Sequence, residues 1–403
     1  MKGNLVIGQA GGPTMVINES LVGVIKEAEK HEQFQGIYGS KHGILGILNE
    51  DFVNLRQESE KNLETVAKTP SSTLGTCRHK PDEADCLKVF EVFEKYNVKY
   101  FFYIGGNDSA ETCHIINEIA KKHQYELRIF HIPKTIDNDL LENDFCPGYP
   151  SAARYVASSF MGNDLDNQAL PGVKIDVVMG RHAGWLTAAS ALARTNTTDG
   201  PHLIYLPERP IKVKSFVKDI DDVYAKYGRC LVAVSEGVAG ASGKPLGEAI
   251  AKTKDSHGNV QLSGSGALGD LLAGYVEKHS RHQGMRVRTD TLGYAQRSFP
   301  GIRSEVDAKV ARMVGKEAVR YALKGDIDGS ITISRISADK KPVFETDLVR
   351  LKKVAKDTQD MPAKFIAKNG HDVTSAFLKY LEPLVGELPA KGILAQKKVK
   401  KLS

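Results

Sequence analysis

The chain lacks the features that mark several special classes of protein. It has 5 cysteines, an odd number, and no CxxC pair, which argues against a disulfide framework and against a structural zinc site. No stretch approaches the roughly 20 apolar residues of a membrane span, and the apolar run at the N-terminus is too short for a signal peptide. Repeats of roughly 20–50 residues and low-complexity segments are also missing. We therefore expect a reduced, soluble, cytoplasmic enzyme with no membrane partner.

The length and composition are ordinary, but the positive charge is unevenly distributed along the chain. A length of 403 residues favours two domains, and 41% hydrophobic and 26% charged residues are typical of a globular protein. The net charge is +6, and part of this excess lies in a lysine-rich tail over 391–403. A nucleic-acid-binding arm is one interpretation of the tail, but a solvated terminus is favoured. The remaining positive charge suits a small anionic substrate.

Short apolar runs alternate with longer amphipathic segments along the chain. The runs Leu5–Ile7, Tyr100–Ile104 and Ile129–Ile132 are each separated by helical patterns, and a second such series begins near Pro150. This alternation predicts an α/β protein with two doubly wound, mostly parallel sheets and an active-site cleft between its domains. The predicted divisions are 1–148, completed by part of 301–340, then 149–300, and a C-terminal appendage over 341–403.

One charged stretch lies where such sheets bind ligands. Lys134, Asp137 and Asp139 follow the apolar run Leu127–Ile132, at the carboxyl end of a predicted buried parallel strand. Carboxylates can hold a metal or accept a proton, and a lysine can neutralise a phosphate. A polar turn that caps the next helix explains the same residues. On this stretch alone, the two interpretations are equally good.

Three further loops could contact phosphate. Gly8–Thr14 follows the first predicted strand and opens a helix, as phosphate-binding loops do, although a tight turn would also use its glycines. Ser71–Arg78 offers hydroxyls and a guanidinium, although an ordinary surface loop is the more common case. Gly105–Ser109 ends another strand, and its side-chain oxygens could hold a metal–phosphate or simply cap the helix.

The second half carries a similar set of polar groups. Met179-Gly180-Arg181 ends one predicted strand, and Glu236 ends another. A carboxylate in that position can accept hydrogen bonds from sugar hydroxyls. Guanidiniums near a tyrosine suit a sugar phosphate, and the stretch Gly284–Pro300 holds Arg286, Arg288, Tyr294 and Arg297. A solvated basic surface is the alternative for that stretch.

Taken in chain order, these segments resemble the phosphofructokinase A family, and more narrowly its pyrophosphate-dependent branch. The resemblance runs from the Gly11-Gly12 loop to Arg297. Its most specific parts are Pro133–Asp139, Met179–Arg181 and Gly293–Arg297, each at a predicted strand end or loop.

The resemblance implies a Mg²⁺-dependent, reversible phosphoryl transfer from pyrophosphate to the 1-hydroxyl of fructose 6-phosphate. It implies that Asp137 is the general base, that Arg78 meets the transferring group and that Gly12 holds the donor. It also implies a homo-oligomer, because Arg288 would reach the sugar phosphate of a neighbouring subunit. The other residues that it assigns to the sugar phosphate are Thr135, Ile136, Met179, Gly180, Arg181, Glu236, Tyr294, Ala295, Gln296 and Arg297.

The expected choice of donor depends on two positions. Asp108 and Lys134 stand where ATP-using members of the family carry glycine. A carboxylate at Asp108 repels the α-phosphate of a nucleotide, and Lys134 supplies a cation that pyrophosphate can use in the transition state. Two positions depart from the family pattern. Asn107 replaces the usual aspartate at the metal position, where an amide is a weaker Mg²⁺ ligand, and Gly172 replaces an arginine.

Other functions stay open from the sequence. An ATP-dependent member of the same family would use the same sugar-binding residues, and another sugar phosphate such as sedoheptulose 7-phosphate could be the acceptor. A non-catalytic sugar-phosphate sensor would not need the base Asp137. Binding of nucleic acid is supported by the lysine-rich tail alone, so we expect no nucleic-acid partner.

Overall fold

The structure is a computed structural model that describes residues 1–249, 266–325, 328–337, 342–355 and 357–392, together with Leu394 and Val399. The first lysine of the tail, Lys391, is described, and its Nζ lies 2.7 Å from Asp199 Oδ2. The other tail lysines, beyond position 392, lie outside the described residues. No helix within the described ranges is long and apolar enough to cross a membrane.

The larger sheet of the described chain has seven strands in the order β11-β10-β5-β4-β1-β2-β3. The five inner strands run parallel, while the edge strands β3 and β11 run antiparallel to their neighbours. Apolar residues occupy both faces of the inner strands because helices cover both sides of the sheet. The strands are β1 (Gly3–Gln9), β2 (Phe34–Ser40), β3 (Phe52–Asn54), β4 (Val98–Gly105), β5 (Arg128–Pro133), β10 (Gly329–Arg335) and β11 (Phe344–Val349).

The smaller sheet has four parallel strands in the order β7-β8-β6-β9 within the described chain. Its central strands are fully buried, whereas the edge strand β9 is partly exposed. The strands are β6 (Val173–Val178), β7 (Leu203–Tyr205), β8 (Cys230–Ser235) and β9 (Val287–Thr291).

Helices connect the strands and cover both sheets. They are α1 (Ile17–Ala28), α2 (Ile44–Leu48), α3 (Glu60–Lys68), α4 (Glu83–Lys95), α5 (Asn107–Lys122), α6 (Tyr149–Ala169), α7 (Trp185–Ala189), α8 (Val213–Tyr227), α9 (Ala267–His279), α10 (Ala295–Ser298), α11 (Glu305–Leu323) and α12 (Ser375–Val385). Short 3-10 helices span Leu55–Gln57, Ser190–Ala193, Leu246–Ala249, Leu351–Lys353 and Ala363–Phe365.

The predicted α/β class with two mostly parallel sheets is confirmed. The expected appendage over 341–403 is wrong for the residues of β11, since this strand pairs with β10 and forms an edge of the larger sheet. Helix α12 also belongs to the main structure, because Phe377, Leu381 and Leu384 are buried in the principal hydrophobic core. Sequence periodicity missed β9, whose charged residues stand on a half-exposed edge.

Two glycines allow α1 and α11 to pack at close range. A Cβ on Gly315 would lie 2.2 Å from the backbone oxygen of Ser20, and a Cβ on Gly23 would lie 2.4 Å from that of Arg312. Each contact is between one helix and the backbone of the other. The two helices therefore touch at positions where no side chain fits.

We expect Gly315→Ala to destabilise the protein by about 1–3 kcal/mol, because the added methyl group forces two helix backbones apart. The control is Gly274→Ala in α9, where a Cβ meets nothing within 4 Å. That change should be neutral or stabilising by up to about 1 kcal/mol, since alanine favours a helix over glycine. Urea unfolding measures both variants. Equal stabilisation of the two would contradict the packing described for α1 and α11.

Candidate active site

A cavity of about 390 Å³ opens between the two sheets, at the carboxyl ends of their parallel strands. The larger sheet contributes the loops after β1, β4 and β5, and the smaller sheet contributes those after β6 and β8. The predicted residues that line the cavity are Gly12, Arg78, Asn107, Asp108, Lys134, Thr135, Ile136, Asp137, Met179, Arg181, Glu236, Tyr294 and Arg297.

Lys134 lines this cavity directly after β5. It is 3% exposed, and its Nζ donates a hydrogen bond to the backbone oxygen of Gly12 at 2.7 Å. Its own backbone N–H donates to the oxygen of Gly105 at 2.9 Å, so one residue links the loops after β1, β4 and β5. Burial, together with the nearby guanidinium of Arg297, lowers the pKa of Lys134 to about 7 against the opposing effect of the carboxylates Asp137 and Asp139.

Two carboxylates follow Lys134 on the same turn. Burial raises the pKa of Asp137, while Arg297 and Lys134 oppose this rise. Burial, together with the negative charge of Asp137, raises the pKa of Asp139 to about 7. Both groups therefore hold protons more readily than surface carboxylates do, and cations that favour their ionised forms surround them.

The turn that carries these carboxylates is fixed by Asn138. This residue has φ +57°, in the left-handed region that asparagine tolerates better than most residues. Its Oδ1 accepts from the N–H of Cys146 at 2.9 Å, and its Nδ2 donates to the hydroxyl of Tyr380 at 3.1 Å. The N–H of Asp137 donates to Thr135 Oγ1 at 3.1 Å. The flanking carboxylates are thus held by contacts made behind the cavity.

One side of the cavity is built at the N-terminus of α5. Asn107 is the first residue of that helix, and Asp108 is exposed at the cavity surface. The helix N-terminus presents backbone N–H groups and positive potential, which favour an anion. Arg78 faces the same region from the loop before α4. Asn107 donates its Nδ2 to the backbone oxygen of Asp357 at 2.7 Å.

On the opposite side, some predicted residues line the cavity and others support it. Gly180 does not line it. Its N–H donates to Glu236 Oε1 at 3.4 Å, and with φ +138° a Cβ there would lie 2.6 Å from the oxygen of Ala183. Gln296 is fully buried and accepts from the N–H of Met179 at 3.4 Å. Ala295 also lies outside the lining.

Arg288 lies away from this cavity, on the edge strand β9. Its guanidinium donates to Asp166 Oδ2 at 2.5 Å and to the backbone oxygen of Leu170 at 2.9 Å. The role inferred for it, at the site of a neighbouring subunit, stays a prediction.

Sequence reasoning missed several residues that line the cavity. His79 and Lys80 directly follow Arg78, so their position in the same loop was an available signal. His182 directly follows Arg181, so its position in that loop was also an available signal. Thr358 comes from the C-terminal region, where no pattern in the sequence pointed to the site.

The oxygen-rich side chains here suit Mg²⁺. Within the described residues, no group of three His, Cys, Asp or Glu forms a self-sufficient metal site. Mg²⁺ usually keeps several waters and takes one or two carboxylates together with substrate phosphates. Asp139 Oδ1 is buried and has no hydrogen-bond partner among the described atoms, which leaves it available as a ligand. Asp139 and Asn107 therefore fit a metal held jointly with a bound polyphosphate.

Two mostly parallel, helix-covered sheets around a cavity rich in cations and carboxylates are typical of a protein that binds phosphorylated ligands. A family model described as Phosphofructokinase matches residues 4–322, and the chain belongs to the phosphofructokinase family. The resemblance inferred from the motifs is thus confirmed.

Several similar proteins are named as pyrophosphate-dependent enzymes. The chain is 55% identical to a pyrophosphate–fructose 6-phosphate 1-phosphotransferase of Rhodospirillum rubrum, over 96% of this chain and 95% of that protein. It is 38% identical to a protein of that name from Xanthomonas campestris, over 96% and 93%. A crystal structure of a pyrophosphate-dependent phosphofructokinase from Marinobacter aquaeolei matches with a TM-score of 0.85 and 32% identity, over 98% of this chain and 94% of that one.

The burial of Lys134 predicts a pH-dependent effect in the ligand-free protein. Its pKa is about 7 in the folded state, against about 10.4 in an unfolded chain. Between these values the unfolded state binds a proton that the folded state does not, so this group makes the free energy of unfolding rise with pH. The rise is at most about 1.4 kcal/mol per pH unit, and Lys134→Met lacks it.

Urea unfolding of both proteins from about pH 7 to about pH 9 tests this prediction. The free energy of unfolding of the wild type should rise relative to that of Lys134→Met as pH rises. A difference that stays constant over this range would mean that Lys134 titrates like a surface lysine.

Proposed function

We propose that the protein transfers a phosphoryl group from pyrophosphate to the 1-hydroxyl of D-fructose 6-phosphate, giving fructose 1,6-bisphosphate and phosphate. The observation that carries this proposal is a buried lysine, Lys134, set between the donor loop at Gly12 and the carboxylate of Asp137. The relatives named above support it, since their names specify this donor and this acceptor.

Asp137 accepts the proton in this scheme. As the 1-hydroxyl oxygen attacks the nearer phosphorus atom of pyrophosphate, its proton passes to the Asp137 carboxylate. The bond from that phosphorus to the bridging oxygen breaks, and the other half leaves as orthophosphate. A general base of this kind contributes roughly a hundred- to ten-thousand-fold in rate. The reverse reaction uses the protonated carboxyl as the acid, and the raised pKa of Asp137 suits that role.

Cations stabilise the charge that moves between the phosphates. Lys134, Arg78 and Arg297 all face the cavity, and phosphoryl transfer depends mainly on alignment and charge stabilisation. In the ligand-free protein, Lys134 has a pKa of about 7 and is therefore partly neutral at that pH. Bound pyrophosphate raises that pKa by its negative charge, so the ammonium form is present when the donor is bound.

Asn107 and Asp139 would hold Mg²⁺ together with pyrophosphate oxygens. The metal would neutralise negative charge on the donor when bound. The tie between Gly12 and Lys134 keeps the donor loop close to the carboxylates. Met179, Arg181, Glu236, Tyr294 and Arg297 bind and orient the sugar phosphate in this proposal.

Arg288 supports a homo-oligomer. It lies on a sheet edge outside the cavity of its own subunit. From there it would contact fructose 6-phosphate in a neighbouring subunit, as the resemblance implies.

Asp108 and Lys134 make pyrophosphate the preferred donor over ATP. Like charges placed against each other cost several kcal/mol, so we expect kcat/KM for pyrophosphate to exceed that for ATP by at least about a hundredfold. Asp108→Gly with Lys134→Gly should lower turnover with pyrophosphate and reduce this preference. Coupled assays with both donors on the same preparations measure the ratio.

The matched control is Glu142→Gly, which removes a carboxylate from a loop near the site without changing the cavity lining. Glu142 has φ +62°, a conformation that glycine adopts readily. Its donor ratio should equal that of the wild type. Higher kcat/KM with ATP than with pyrophosphate in the wild type would overturn the choice of donor.

A further inference from the structure

A segment from the C-terminal region crosses the edge of the cavity. We call residues 357–361 the crossing segment. Its backbone oxygen at Asp357 accepts from Asn107 Nδ2 at 2.7 Å, and its backbone N–H at Gln359 donates to the oxygen of Asp139 at 2.8 Å. Thr358 pairs with Leu140 in an antiparallel bridge and also lines the cavity. One short segment thus contacts the N-terminus of α5 and the turn that carries Asp139.

The crossing segment is held firmly at both ends. Before it, Val354 is fully buried in a small cluster with Ala110 and Leu140. At its end, Met361 is 3% exposed and belongs to the principal core. The backbone position of the segment is therefore set by packing on each side, independently of any ligand.

The crossing segment is also connected to the loop that follows β6. The N–H of Met361 donates to Glu208 Oε1 at 3.2 Å, and the N–H of Gly184 donates to the same oxygen at 2.8 Å. Gly184 closes the loop that begins at Met179. Through Glu208, the segment connects the N-terminus of α5 on one side of the cavity to the loop after β6 on the other.

The contact at Asn107 has a consequence for the chemistry of that side chain. A backbone oxygen only accepts hydrogen bonds, so the group 2.7 Å from Asp357 must be the amide nitrogen. The nitrogen is thereby turned to the segment, and the amide oxygen is left for the cavity. An aspartate in this place would set a carboxylate oxygen against the Asp357 oxygen, with no proton between them.

We propose that the crossing segment is a positioning element of the phosphoryl-transfer site, in which the Asp357 carbonyl orients the Asn107 amide and the Gln359 N–H holds the Asp139 turn. This inference rests on the proposed function for the ligands that it names. It explains why an amide works at residue 107, although a carboxylate is the better ligand for Mg²⁺. The Asp357 carbonyl can only accept a hydrogen bond, so residue 107 must present a donor to it.

The test compares Asn107→Asp with Asn107→Ala. If residue 107 acted only through a metal, KM for pyrophosphate in Asn107→Asp would equal or fall below that of the wild type, and Asn107→Ala would have the highest KM. The crossing segment reverses this order. We expect Asn107→Asp to raise KM for pyrophosphate by about tenfold or more, beyond the effect of Asn107→Ala, because it brings two acceptors together. KM for fructose 6-phosphate should change less.

Thermal unfolding of the ligand-free proteins gives a readout that does not depend on turnover. An acidic residue in the first turn of a helix normally stabilises it, so position 107 at the start of α5 would by itself favour aspartate over alanine. We expect the reverse order of midpoints, with asparagine highest and aspartate lowest. The control is Asn369→Asp, since Asn369 uses its oxygen to accept from the N–H of His371 and aspartate keeps that acceptor.

A double-mutant cycle assigns the effect to the segment. Gln359→Pro removes the N–H that donates to Asp139 and loosens the segment. In the Gln359→Pro background, Asn107→Asp should lower the unfolding midpoint and raise KM for pyrophosphate much less than it does in the wild type, since coupled sites are non-additive.

The inference is overturned if Asn107→Asp unfolds at or above the midpoint of Asn107→Ala, if its KM for pyrophosphate is no higher than that of the wild type, or if its penalty is unchanged by Gln359→Pro. Failure of the proposed function gives a different result. The wild type would then show no turnover with pyrophosphate, while the order of unfolding midpoints and its dependence on Gln359 would still hold.

Discussion

The burial of one ammonium group at the carboxyl edge of a parallel sheet constrains the rest of the site. Lys134 is almost completely removed from solvent, and such a charge is costly unless groups around it compensate. The Gly12 carbonyl and the carboxylates of Asp137 and Asp139 provide this compensation. The same burial lowers the pKa of the lysine and raises those of the carboxylates. In the proposed reaction, this one desolvated cluster supplies both the cation for the donor and the base for the acceptor.

The rest of the fold keeps this cluster assembled from distant parts of the chain. Asn138 ties the carboxylate turn to Tyr380 on α12, and Gln359 ties it to the crossing segment. The smaller sheet places Met179 and Glu236 across the cavity. The described residues beyond position 341 thus contribute to the site as well as to the larger sheet.

Local chemistry made part of this structure predictable. Strand ends that carry Lys134, Asp108 or Arg181 can be found because apolar runs and polar loops are adjacent in sequence. Contacts that depend on tertiary packing gave no such signal. Thr358 reaches the cavity only because β11 returns the chain to the sheet, and Arg288 lies on an edge strand whose partly exposed pattern does not resemble a buried strand. The partner of Asn107 was hidden for the same reason, since Asp357 is distant in sequence.

The central claim is that Asp137 takes the proton of the attacking hydroxyl, and Asp137→Asn tests it most directly. The amide keeps the size of the side chain but cannot act as a base. Single-turnover measurement with bound fructose 6-phosphate and pyrophosphate should show a rate lower by roughly a hundred- to ten-thousand-fold, while equilibrium binding of fructose 6-phosphate changes little. A variant that transfers the phosphoryl group at a rate near that of the wild type would contradict this account.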